Sequence, residues 1–181
     1  SSFVNPDTPL RDALTDFAAE HITRITAQSR NYRPMAHVVD ARALVNALVA
    51  LLASGGSTNH CIHLIAIARA AGYRMNWSDF DAVSAVTPLL ARVYPNGSAD
   101  VNHFHAAGGT GTLFKALLDA GLMHPEATTC FGDNFGDFCQ EPILVDDRIE
   151  WRPAASQSLD TDILTTPKTP FSTNGGVKLL E

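Results

Sequence analysis

A helix-rich α/β fold, a partial three-layer α/β/α domain with a few mostly parallel strands and an irregular C-terminal third, is predicted by three observations. Apolar residues recur at helical spacing over 10–25, 38–52 and 59–71, and short apolar runs at 89–93 and 143–151 have the length of strands. Gly, Pro and Asn punctuate the chain between these signals, which is how helices and strands alternate in such a domain.

Taken in order, Asp7 or Thr8 can cap a first helix, Pro9 suits its first turn, and Leu10, Leu14, Phe17, Ile22 and Ile25 mark one face to about Gln28. A second helix starts near Asp40 and runs to Leu52. The GGSTN loop, 55–59, separates it from a third, which Gly72 stops. Ser78 is expected to cap a helix through Val86. Residues 89–93 read as a buried strand ending in the Pro95-Asn96-Gly97 turn. Asp100 or Ser98 can cap the next segment, Gly108 and Gly109 allow a break, and 112–120 is helical. ILVDDRIEW, 143–151, is a strand or hairpin arm about an acidic turn. The stretch 156–173, rich in Ser, Thr, Asp and Pro, reads as a long surface connection. Val177, Leu179 and Leu180 then open an apolar strand at the last residues, so the chain reads as cut.

Composition narrows the function classes. With 181 residues and 45% hydrophobic content the chain can bury a core of one ordinary domain. A net charge of -6 and no basic cluster argue against nucleic acid and anionic membranes as partners. No apolar run spans a bilayer and the start lacks a signal-peptide pattern, so a cytoplasmic protein is expected. The three cysteines, Cys61, Cys130 and Cys139, form no CxxC pair, which indicates neither a disulfide framework nor a self-contained cluster site.

The segment ASGGSTNHCIHLIAIARAAG carries the chemistry. A helix start has unpaired N–H groups and a partly positive dipole, and a glycine loop there can receive an anion. Gly55 and Gly56 let backbone approach a ligand, and Ser57, Thr58 and Asn59 offer hydroxyl and amide groups. The same three residue types cap helices, and capping alone accounts for them equally well. Neither GxxxxGK[ST] nor GxGxxG is present, so nucleotide binding is unsupported. Seven histidines invite a metal reading, chiefly His60 with His63 and His103 with His105. No third ligand is in view, HExxH is absent, and Cys61 reads as a small core residue, so no metal site and no catalytic residue is assigned.

SSFVNPDTPLRDAL, VNALVALLASGGSTNHCIHLIAIARAAG and LLARVYPNGSADVNHFHAAGG together resemble the family of dihydroxy-acid and 6-phosphogluconate dehydratases. NHFHAAGG and PFSTNGGVKLL favour its phosphogluconate branch over the dihydroxy-acid one. The resemblance implies dehydration of 6-phospho-D-gluconate to 2-dehydro-3-deoxy-6-phosphogluconate in the Entner-Doudoroff pathway. It further implies an iron-sulfur cluster (4Fe-4S) and a divalent cation in the full-length parent, with none expected on this chain, and a homodimer. Family members are several-fold longer. Residues 1–155 would be the later part of the N-terminal α/β domain, and 156–181 a linker and the start of a C-terminal barrel-like domain. The cluster cysteines and the serine base would lie outside the chain, so it is expected to be inactive alone. In the parent, GGSTN would cradle a carboxylate or phosphate, with His60, Asn102 and His103 as further substrate contacts. Two other readings are a stand-alone sugar-acid-binding module, which would give calorimetric heat with phosphogluconate, and an interaction domain that dimerises through exposed apolar surface.

Overall fold

The computed structural model describes residues 4–180; the first three residues of the SSFVNPDTPLRDAL motif and Glu181 lie outside it. Seven α-helices lie among the described residues. The first, α1 (Pro9–Arg24), has Pro at its start and the Thr8 hydroxyl accepting the Arg11 N–H. After a single turn, α2 (Met35–Val38), Asp40 caps α3 (Ala41–Ser54) by accepting the Ala43 N–H at 2.8 Å. Ser57 caps α4 (Thr58–Ala70). α5 (Trp77–Ser84) follows a capping box of Asn76 and Asp79; the cap is Asn76, two residues before the expected Ser78. The Asn76 and Asp79 side chains satisfy two orphan N–H groups reciprocally at the earlier position. Then come α6 (Val101–Ala106), capped by Asp100, and α7 (Gly109–Asp119).

Among the described residues strands are fewer than expected, and the ladder they form is antiparallel, not parallel. β1 (Gln140–Val145) and β2 (Arg148–Pro153) form an antiparallel hairpin in which Gln140 pairs with Pro153 and Val145 with Arg148. Its two-residue turn places Asp146 and Asp147 at φ 48° and 59°, the left-handed pair that a tight hairpin requires and that Asp tolerates. The 89–93 segment is extended but makes single bridges instead of a ladder. Leu89 pairs with Ser172 and Ala91 with Leu164, both antiparallel, and Val93 pairs with Ala99 in parallel. The 156–173 stretch is therefore more than a surface connection: Leu164 is fully buried and Thr165 donates its N–H to the Leu90 carbonyl. The final residues lie extended without a ladder, so the expected strand from Val177 does not form among the described residues.

α3 organises the packing because two of its faces are apolar. Val49 and Ala53 enter one core with Leu90, Phe104, Leu113, Leu117 and Leu164. Leu44, Leu48 and Leu52 enter a second with Cys61, Leu64 and Phe80. Both cores draw on α3, whose C-terminal end leads into the GGSTN loop. α1 instead packs on the hairpin through an aromatic group, with the Phe17 and Trp151 ring centroids 5.7 Å apart.

Candidate functional site

Gly55 ends α3 in the left-handed conformation, φ 61° and ψ 39°, which a side chain would strain. The Gly55 N–H bonds the Leu52 carbonyl and the Gly56 N–H bonds that of Leu51, a Schellman-type close that reverses the chain into α4. Ser57 follows at once as the α4 cap, its hydroxyl accepting the Asn59 N–H at 3.1 Å. The side chain of Asn59 lies 3.4 Å from His63 Nε2 on the next turn. Ser57, Thr58, Asn59 and His60 are all exposed, whereas Gly55 is buried.

Two more glycine–asparagine turns close on this one. Asn96, from the Pro-Asn-Gly turn, donates its side-chain amide to the Gly55 carbonyl at 2.7 Å. The Gly176 N–H bonds the Leu52 carbonyl, and a Cβ on Gly176 would run into the Gly55 Cα. Gly175 bonds the Ser84 carbonyl while the Ser84 hydroxyl donates to Val177 at 2.7 Å. The sequence motifs GGSTN, YPNG and STNGG thus converge on one turn. Asn96 and Gly176 are neighbours of the candidate turn that reading the sequence did not single out; the signal was there in the repeated Asn-Gly pairs.

Asn102 and His103 occupy the first turn of α6, a few residues beyond Asn96. Among the described residues no hydrogen bond or ion pair joins them to 55–60. Asp100 engages both: it accepts their N–H groups at 2.8 and 3.0 Å and faces His103 Nδ1 at 2.9 Å. The His103 N–H, followed by that of Asn102 and the His103 ring, holds the Asp100 carboxyl below its ordinary pKa. His103 and His105 sit on a helix, so two-residue spacing sets them on different faces. The His60 side chain has no hydrogen-bond partner among the described residues.

The donor set does not suit an iron-sulfur cluster. Cys61 is 1% exposed inside the second core, and burial pushes its thiol pKa up, away from the thiolate a metal needs. Cys130 is exposed and Cys139 half-buried, and among the described residues no three His, Cys, Asp or Glu side chains gather as a metal site.

A cleft of about 780 Å³ lies elsewhere, between the His105–Gly111 segment, the Phe135–Phe138 turn and the hairpin, and none of residues 55–60 lines it.

The described residues form a helix-rich domain in which a glycine turn leads straight into a capped helix. The sequence model of the dihydroxy-acid/6-phosphogluconate dehydratase N-terminal family matches residues 1–138, and the chain belongs to that family. It is 52% identical to the phosphogluconate dehydratase of Pseudomonas aeruginosa over 181 residues, all of this chain and 30% of that protein. It is 49% identical to the phosphogluconate dehydratase of Escherichia coli K12 over 180 residues, 99% of this chain and 30% of that protein. With the dihydroxy-acid dehydratase of Haloarcula marismortui it shares 34% over 135 residues, 75% of this chain and 22% of that protein. The chain spans less than a third of the length of these curated relatives.

Proposed function

We propose that this chain is part of a hydro-lyase that dehydrates 6-phospho-D-gluconate to 2-dehydro-3-deoxy-6-phosphogluconate, and that the 55–60 turn receives an anionic end of the substrate. The observation that carries the reading is the identity of about one half, over the chain's full length, to proteins named phosphogluconate dehydratase, against 34% over a shorter stretch with the dihydroxy-acid enzyme. Exposure of Ser57, Thr58, Asn59 and His60 at the entry of α4 supports the loop's role, because small polar side chains face solvent at a partly positive helix start.

In this reading Gly55 and Gly56 permit close approach, Ser57, Thr58, Asn59 and His60 supply donors, and Asn102 and His103 contact substrate hydroxyls from α6. Removing a hydroxyl and a neighbouring proton needs an electrophile on the leaving oxygen and a positioned base. The whole enzyme's 4Fe-4S cluster and divalent cation, when bound, supply the electrophile; no step is assigned to residues of this chain. Residues 1–155 belong to the larger N-terminal α/β domain and 156–181 lead toward the second. Among the described residues no helix is long and apolar enough to cross a membrane. The reading takes the whole enzyme to be a cytoplasmic homodimer.

Two measurements on the purified chain test this. Assayed for 2-keto acid formation from 6-phosphogluconate it shows no turnover; calorimetry shows saturable binding that Asn59→Ala weakens about tenfold, equivalent to about 1.4 kcal/mol. Turnover by the chain unaided overturns the assignment of the chemistry to the rest of the enzyme, and absence of heat overturns the loop's role.

A further inference from the structure

We propose that the cleft of about 780 Å³ between α7, the Phe135–Phe138 turn and the hairpin is a second binding site, selective for an uncharged polyhydroxylated ligand of monosaccharide size. It is independent of the reading of residues 55–60, with which it shares no residue. Its volume falls within the range of about 300–1,000 Å³ typical of small-molecule sites.

The floor is aromatic. Phe131, Phe138 and Trp151 line it, with ring centroids 5.6 Å apart for Phe131 and Phe138 and 6.3 Å for Phe131 and Trp151. Phe131 is 39% and Trp151 40% exposed, so each keeps open surface while also packing against Phe17. Such a face pairs with the apolar C–H side of a sugar, while a ring of alternating donors and acceptors meets its hydroxyls.

That alternation is present. The Trp151 indole N–H, the Thr110 hydroxyl, the Gln140 amide and the Asp137 carboxylate all belong to residues lining the cleft, and none has a hydrogen-bond partner among the described residues. Arg152 and Glu141 add a donor and an acceptor already matched to each other at 2.9 Å, so the pair contributes no net charge. Because donors and acceptors are mixed and the Arg152 guanidinium is matched by Glu141, the chemistry suits hydroxyls, which donate and accept, over a phosphate, which only accepts at full ionisation.

Trp151 makes the test direct, since Trp77 is the chain's other tryptophan and lies outside the cleft. In a Trp77→Phe protein, methyl α-D-glucopyranoside is expected to change Trp151 fluorescence saturably in the millimolar range, while inorganic phosphate does not. Asp137→Ala and Gln140→Ala should each weaken the probe about tenfold, and Asn59→Ala should leave it unchanged, with circular dichroism showing each variant folded. No saturable change, an equal response to phosphate, or an unaltered response in both cleft variants would overturn the proposal. So would loss of the response in Asn59→Ala, which would return the ligand to the loop.

Discussion

Asn46 is 1% exposed in the middle of an apolar helix, a position that costs free energy unless every polar atom is paired. Both ends of its amide are used on one residue: Nδ2 donates to the His124 carbonyl at 2.9 Å and Oδ1 accepts the His124 N–H at 2.7 Å. This staples α3 to the loop after α7. Asn46→Ala would leave the His124 N–H and carbonyl without this partner in a partly buried position, so we expect a loss of about 1–3 kcal/mol, read as a lower urea midpoint. Gly176 is constrained differently. Gly176→Ala sets a methyl against the Gly55 backbone, which cannot yield without reopening the α3 terminus, and should cost about 1–3 kcal/mol by thermal denaturation. Neither role is legible in the sequence: Asn46 reads as an interruption of a helical stripe, and its partner lies 78 positions away.

At the scale of elements, what the sequence discloses is local. Thr8, Asp40 and Asp100 cap where expected, because a capping residue bonds within three positions of itself. The hairpin is legible for the same reason, its acidic turn and alternating arms being contiguous. Residues 89–93 are not, since their partners Leu164 and Ser172 lie in a stretch whose composition says only turn and surface. Within the candidate site the 55–60 turn was legible from its glycines, while Asn96 and Gly176 depend on contacts across the fold.

Ion pairs also act between elements. Asp133 is held below the ordinary carboxylate range by Arg33, and Asp81 by Lys178; Asp100 is held low by the α6 backbone N–H groups. Each titrates lower folded than unfolded, so its stabilisation is complete above an ordinary carboxylate pKa of about 4 and lost as pH falls through the folded value. Urea midpoints should therefore agree at pH 7 and 5 and fall near pH 3. Asp133→Asn should remove part of that fall; an unchanged slope would show that the Arg33 pair carries none of it.

Across the whole molecule, burial is uneven. α3 contributes seven buried residues and α1 none, although α1 is the longer helix. Its anchorage is the Phe17 and Trp151 contact, the His21 ring on the Cys130 carbonyl at 2.8 Å, and the nearby Ile25. Local opening free energy follows buried apolar contact, so amides of α1 should exchange with deuterium well before those of α3 and α7. Equal protection would mean that the helix and hairpin unfold only with the rest.

Seating Gly176 on the Gly55 turn makes residues 171–177 a latch whose keeper is the proposed anion loop. Trypsin can reach the exposed Lys168 just upstream, and cleavage there samples how often the latch swings free. A guest that stiffens the 55–60 turn should lengthen the life of the uncut band on a gel, turning a remote peptide bond into a gauge of occupancy.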